Sequence, residues 1–347
     1  MTINRWLETD FFENFKCKCG ACKHTCCSGW KIAVSKKEYY KLVTLECSKE
    51  LSDRIESAFI IPEYPTDEEY RKIAPNYLGY CPLLDENGLC MIHEELGPSA
   101  LSEVCRSYPR SYKKINNTYE ATCTNSCEKV IELLMDEDSL SFKTVENNNN
   151  PNIVISLDED IIEKQTLFTN IIKDRSIPLN TRIQKICNIL KGVDEVNVVD
   201  PLNAYLQVAN FVNTFSINSE IYDNFKDILT KRYDLNNNGL TLFKKDENNF
   251  EHKFPKWMIY FENIIINHLY YMNVPYVDDR LKKEDTTEGL CLLYALLKII
   301  CSACTIEDNS KEHLAMVIAD IFHLVEHSPF YYNAHILINN ETTLLNI

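Results

Sequence analysis

Eleven of the fifteen cysteines in this 347-residue chain precede residue 130, and five of them (Cys17, Cys19, Cys22, Cys26 and Cys27) share the stretch C-K-C-G-A-C-K-H-T-C-C. Thiols that serve only as small apolar side chains have no reason to cluster. Thiols that bind a soft metal or an iron–sulfur cluster must converge on one point. The other six, Cys47, Cys81, Cys90, Cys105, Cys123 and Cys127, are spread behind them, so the first third reads as a unit built around an inorganic centre. The net charge of -15, without a basic block, disfavours nucleic acid as a partner. The N-terminal M-T-I-N-R-W-L-E-T-D-F-F lacks a signal-peptide pattern, and no window approaches about 18 uninterrupted apolar residues. The expectation is a cytoplasmic protein with no membrane insertion. Thiols are kept reduced there, and an odd number of them does not suit full disulfide pairing.

The pattern predicts a mainly α protein: an irregular cysteine-rich N-terminal metal- or cluster-binding unit over residues 1–146, a linker over 147–152, and an all-helical C-terminal domain over 153–347. The linker is the polar run N-N-N-N-P-N. Ser35 followed three residues later by Glu38 is a capping signature, and a second short helix is expected over 49–60. Asn87-Gly88 marks a tight turn between Cys81 and Cys90, residues 98–107 read as a helix carrying Cys105, and a hairpin is expected about Asn116-Asn117. Past the linker, helical spacing of apolar residues recurs over 158–173, 178–191, 201–216, 219–232, 254–273, 286–301 and 311–327.

The cysteines resolve into C-x2-C-x3-C-C (Cys19, Cys22, Cys26, Cys27), then Cys81-x8-Cys90-x14-Cys105, then Cys123-x3-Cys127. Zinc and iron–sulfur ligation are both open to such a set, and a small zinc-stapled module is the plainer reading. Tyr108 and Arg110, in Y-P-R just after Cys105, are candidate cofactor-binding residues, because a guanidinium fork can clamp a carboxylate; a rigid turn with a surface salt bridge is the alternative. His93 has ligand spacing from Cys90 but reads first as structural, and Asp85 as a turn acid. His323-x-x-Glu326-His327 spells an inverted zinc-peptidase motif, cut off by Ser328-Pro329 and lacking an obvious third ligand. No G-x-G-x-x-G opens a strand-to-helix unit, and the C-x3-C-x2-C triplet of ordinary radical S-adenosylmethionine enzymes is absent.

The string F-x-C-x4-C-x3-C-C-x2-W (Phe15, Cys17, Cys22, Cys26, Cys27, Trp30), followed by C-P-L-L-D-E-N-G-L-C-M-I-H-E-E-L-G, L-S-E-V-C-R-S-Y-P-R and S-C-E, closely resembles the bacterial flagellin lysine-N-methylase family. A looser likeness continues at W-M-I-Y-F-E-N-I-I-I-N-H-L-Y-Y-M, and a weaker one extends to small C-x2-C-x3-C-C zinc or iron chelators. The resemblance implies a protein-lysine N-methyltransferase that uses S-adenosylmethionine as donor, flagellin as protein substrate and an iron–sulfur (4Fe-4S) cluster. On the family pattern the metal-site cysteines are Cys17, Cys22, Cys26, Cys27, Cys81, Cys90, Cys105 and Cys127, with Cys19 and Cys123 as additions. Adjacent Cys26 and Cys27 do not suit one iron, so a single cluster with one of the two elsewhere is expected. A non-enzymatic zinc- or iron-binding module is the alternative. Glu262 and Asn263, in the looser stretch, are the polar positions of interest there.

Overall fold

A computed structural model describes residues 4–147, 149–193, 201–214, 220–233 and 237–338. Up to Pro109 the chain forms β1 (Asn4–Thr9), β2 (Ile32–Val34), α1 (Lys36–Val43), α2 (Lys49–Ala58), β3 (Phe59–Ile60), β4 (Arg71–Ile73), α3 (Met91–Leu96) and α4 (Glu103–Ser107). It continues with β5 (Arg110–Ile115), β6 (Thr118–Cys123), α5 (Glu128–Asp136), β7 (Phe142–Asn147), β8 (Ile153–Ile155), α6 (Ile161–Ile172) and α7 (Leu179–Lys191). The last elements are α8 (Pro201–Thr214), α9 (Glu220–Asp227), α10 (Asn237–Lys253), α11 (Trp257–Tyr271), α12 (Thr287–Cys304), α13 (Lys311–Glu326) and α14 (Phe330–Leu337). The fold is mainly α, as the periodicity implies.

The chain divides into two compact units, and the division falls at 15/16 and 109/110 instead of at 147–152. One unit is Lys16–Pro109 with a short piece of chain ending at Tyr222; the other holds the stretches up to Phe15 and from Arg110 on, that piece excepted. The reason lies in a five-stranded mixed sheet, ordered β7-β1-β6-β5-β8. Strand β1 pairs in parallel with β6 and antiparallel with β7, so the first residues belong with the helices of the C-terminal half. Residues 147–152 lie between β7 and β8 of one sheet, where Asn152 exchanges hydrogen bonds with Tyr112, its N–H to the Tyr112 carbonyl at 2.8 Å and its side-chain oxygen from the Tyr112 N–H at 2.9 Å. The stretch expected to be a linker is therefore partly sheet-bound, and β8 makes the C-terminal part not purely helical.

In the smaller unit the Ser35 capping box closes α1, with both reciprocal bonds formed, at a typical worth of about 1 kcal/mol. Helices α1 and α2 cover a short antiparallel sheet, β2-β4-β3, through a core that includes Ile32, Val34, Leu42, Leu51, Ile55 and Ile73. The helix expected over 98–107 is split: Pro98–Ala100 forms a 3-10 turn, and Ser102 caps α4 by accepting from the Cys105 N–H.

In the larger unit α11 packs on β6, α5 and α6, while α12 is surrounded by α7, α10, α13 and α14. Helix α12 is long and apolar enough to cross a bilayer, yet 94% of that window is buried inside the fold. Its Lys298 is 2% exposed and bonds Glu247 at 2.8 Å and Glu251 at 2.6 Å beneath the Trp257 ring. On the sheet, buried Lys113 donates to the Tyr270 carbonyl at 2.5 Å and to Asn273 at 2.6 Å, capping the end of α11. The Asn116-Asn117 hairpin joins β5 to β6, with Asn116 in the left-handed region.

Candidate metal centre

The five leading cysteines lie on a tight turn. Cys19 adopts a left-handed conformation, and its N–H donates to the Cys17 sulfur at 3.2 Å. Gly20 approaches the Leu89 side chain closely, where a Cβ would stand 2.6 Å from its Cδ2. Leu89 precedes Cys90, so the close approach sets the first cysteine turn against the second. Cys22 ends the 3-10 turn and is half-buried. The Cys26 carbonyl accepts from the Trp30 indole at 2.8 Å, and the Cys27 carbonyl accepts from the Cys81 N–H at 2.7 Å.

Between Cys81 and Cys90 the chain folds as a hairpin. Asp85 accepts from the N–H groups of Asn87 at 2.9 Å and Leu89 at 2.7 Å, Gly88 takes a positive φ, and Leu84 bridges Cys90. These bonds, the Leu89 N–H above all, hold the Asp85 carboxyl below its ordinary range. Asp85 is a turn acid. Cys90 sits at the start of α3, where the N–H groups of His93 and Ile92 face its sulfur, while the His93 side chain is exposed. Cys105 lies in α4, and Cys81, Cys90 and Cys105 all pack against one apolar core.

Electrostatics identify the hub. Burial chiefly raises the pKa of Cys17, Cys81, Cys90 and Cys105, and charge on Cys27 adds a smaller push to each. Cys81 and Cys105 are pushed up to about 12, chiefly by burial and then by neighbouring thiols, so both are protonated at neutral pH unless a cation displaces the proton. Cys27 goes the other way, lowered to about 7, because the Cys26 thiol donates to it and outweighs its burial. In number and kind, Cys27, Cys81, Cys90 and Cys105 match what a four-thiolate centre needs. The set is gathered without being closed: among the described residues no three His, Cys, Asp or Glu side chains stand at metal-holding spacing.

Cys127, the remaining expected ligand, belongs to the larger unit. There it caps α5 and is nearly buried, with Cys123 fully so. Tyr108 and Arg110 likewise fall in different units. Tyr108 ends α4, its ring 6.0 Å from that of Trp30. Arg110 donates to the Phe15 carbonyl at 2.8 Å and lies over the rings of Phe15 and Phe12. Its fork is engaged within the fold, which favours the structural alternative over a carboxylate clamp.

Sequence reasoning missed a buried polar network in the larger unit, formed where Thr124, Asn125 and Ser126 meet α11 and α13. Glu326 accepts from the Thr124 hydroxyl and from the Asn125 N–H at 2.9 Å, and its other oxygen bonds His268 at 2.8 Å. His268 reaches the Tyr331 hydroxyl at 2.8 Å through its second nitrogen. The Asn267 amide donates to the Cys123 carbonyl at 2.8 Å, and Ser126 bonds His327 at 2.7 Å. Burial, with a lesser push from His323, lowers the His327 pKa to about 3, so the ring is neutral. Glu326 and His327 of H-x-x-E-H are thus engaged in internal bonds, which disfavours the peptidase reading. The available signal was the run of buried polar residues in α11, Asn267-His268 after Glu262-Asn263, in a helix otherwise rich in apolar side chains.

Glu262 and Asn263 are also structural. Glu262 accepts from Arg175 at 2.7 Å and from Arg182 at 2.9 Å. Asn263 accepts from the Leu140 N–H at 2.8 Å and donates to the Leu134 and Glu137 carbonyls at 3.0 and 2.8 Å, closing the end of α5.

No protein-family model matches the sequence, and no solved structure matches the chain. Among characterised proteins, the chain is 35% identical over 143 residues to the lysine-N-methylase of Salmonella typhimurium, a match covering 40% of this chain and 35% of that one. The lysine-N-methylase of Salmonella choleraesuis matches over the same length at the same identity. The chain thus spans about a third of the length of these relatives. The flagellar biosynthetic protein FliU of Salmonella muenchen is 34% identical over 138 residues, 39% of this chain and 80% of FliU. With four-fifths of FliU matched at 34% identity, the chain belongs to the flagellin lysine-N-methylase family.

Proposed function

We propose that this chain is a protein-lysine N-methyltransferase that transfers methyl groups from S-adenosylmethionine to surface lysines of flagellin, and that Cys27, Cys81, Cys90 and Cys105 hold an iron–sulfur cluster. What supports the activity is family membership. What supports the cluster is one observation: four thiols from three separate stretches lie within one another's electrostatic reach, with Cys27 common to all.

The balance of the reaction is simple. A neutral lysine amine forms an N–C bond to the methyl group, the C–S bond of the sulfonium breaks with its electron pair returning to sulfur, and the new ammonium loses a proton. A lysine with a reference pKa near 10.4 must be neutral first, by desolvation or by proton transfer to a base. With four thiolates on it, the bound cluster would have no open iron and would supply an electron. On the protein's side, Cys27 is the thiol already poised to ionise near neutrality, whereas Cys81 and Cys105 give up their protons only on binding a cation.

Anaerobic purification tests the cluster. A brown protein with a broad visible band supports it, and a colourless protein releasing zinc on acid treatment favours the non-enzymatic chelator module. Incubation with flagellin and labelled donor tests the activity. Absence of label on lysine, with the metal site loaded, refutes the methylase reading.

A further inference from the structure

Four cysteines, Cys187, Cys291, Cys301 and Cys304, lie in the helical part of the chain, and two of them meet. The sulfurs of Cys187 and Cys291 stand 3.7 Å apart although 104 positions separate the residues in sequence. Cys187 lies on α7 and Cys291 on α12, and both are buried. Cys187 shares the inner side of α7 with Leu179, Ile183 and Ile186, while Lys185 and Ile189 of the same helix are exposed. Tyr331 is next to the pair. Its ring packs against α12 where Gly289 leaves room for it, and burial, Glu326 and then charge on either thiol push its pKa up.

Zinc and iron–sulfur centres draw on three or four protein ligands. Among the described residues no third His, Cys, Asp or Glu joins this pair at metal-holding spacing. Two sulfurs by themselves complete a different chemistry, the disulfide, in which they stand about 2.05 Å apart. The gap to close is the excess over that length, and the two side-chain torsions share it. We propose that Cys187 and Cys291 are a redox-responsive pair, linked by hydroperoxides into a disulfide that clamps α7 to α12. With hydrogen peroxide the step balances. The Cys187 sulfur takes one peroxide oxygen: an S–O bond forms, the O–O bond breaks, and the departing hydroxide leaves with the thiol proton as water. The Cys291 sulfur then forms the S–S bond, the S–O bond breaks, and its own proton leaves with the hydroxyl as a second water. The pair loses two electrons and the peroxide gains them. Reaching Cys187 takes local opening of α7 alone, which a small oxidant can exploit. The clamp adds to an attachment already present, since Arg182 of α7 bonds Glu262 of α11 at 2.9 Å.

The test treats the folded full chain with hydrogen peroxide, alkylates the remaining thiols, and maps the peptides by mass without reduction. The Cys187 and Cys291 peptides should appear joined, two hydrogens lighter than their sum, and separate on adding dithiothreitol. Against a Cys187→Ala variant oxidised in the same way, the oxidised parent should unfold at a temperature higher by roughly 4–16 °C, because the link closes a long loop. If that variant does not fold, Cys291→Ala takes its place, and the peptide map of the parent decides by itself. Two outcomes overturn the inference. In one, Cys187 and Cys291 are both recovered as alkylated thiols under peroxide that oxidises the exposed Cys17 and Cys19. In the other, Cys187 ends as a sulfinic acid or joined to a different cysteine.

Discussion

Replacing Glu262 separates architecture from chemistry in the stretch shared most loosely with the family. Its carboxylate is 1% exposed and bonds both the Arg182 guanidinium, 3% exposed, and that of Arg175, 43% exposed. The Arg175 pair is largely in water and is worth about 0–1 kcal/mol. Arg182 differs, since it also donates to the carbonyls of Ile177 and Ile172, both at 2.8 Å, and cannot leave. Glu262→Leu strands that charge in the core at a cost of about 3–5 kcal/mol. At about 2–4 °C per kcal/mol for a unit of this size, the midpoint of thermal unfolding should drop by roughly 6–20 °C. Adding Arg182→Leu removes the stranded charge and should recover most of the loss, because apolar replacement of a buried pair is often close to neutral. Calorimetric melts of the parent, both single variants and the double variant complete the cycle. An unchanged melting point for Glu262→Leu together with lost methyl transfer would refute the structural assignment and return Glu262 to the chemistry.

Alkylation of the metal-free protein should follow the thiol environments, because only the thiolate reacts. Cys27 should label with a midpoint near its pKa of about 7, whereas Cys81 and Cys105, pushed up to about 12, stay protonated and unlabelled through pH 9. Mass-mapped labelling in which the three rise together would contradict this, and loading the metal should protect Cys27. Two threonines in one turn of chain make a second contrast. Thr124→Val removes a hydroxyl bonded to Glu326 and Ser126 and should cost about 1–3 kcal/mol. Thr122→Val removes a buried hydroxyl with no protein partner and should cost less than about 0.5 kcal/mol by chemical denaturation. Equal costs would show that the Glu326 network does not hold this segment.

Local patterns carried as far as local causes reach. The Ser35 cap, the Asn87-Gly88 turn and the α11, α12 and α13 stripes were readable because each depends on residues a few positions apart. The five-stranded sheet was not, since N-R-W-L-E-T shows no clean alternation when both Trp6 and Glu8 are buried and its partner β6 lies a hundred residues on. Helix α10 was missed behind the Asn-rich run at its start, and α14 behind Ser328-Pro329. Nine of the eleven clustered cysteines fall in Lys16–Pro109. The clustering could not show that Cys127 belongs to the other unit, or that Glu262 faces Arg175 and Arg182 across some eighty positions.

Arg110 is the first residue after the thiol-bearing unit, and Phe15, whose carbonyl it holds, is the last before it. The two strands of chain entering and leaving that unit are therefore fastened to each other within the larger one. Should Lys16–Pro109 come undone, the disorder would be that of a closed loop with a pinned neck. Holding the ends of such a loop costs about 4 kcal/mol by chain-closure entropy, and that cost grows only slowly with length. Arg110→Ala would release that neck, freeing the Phe15 carbonyl from the first residue of β5.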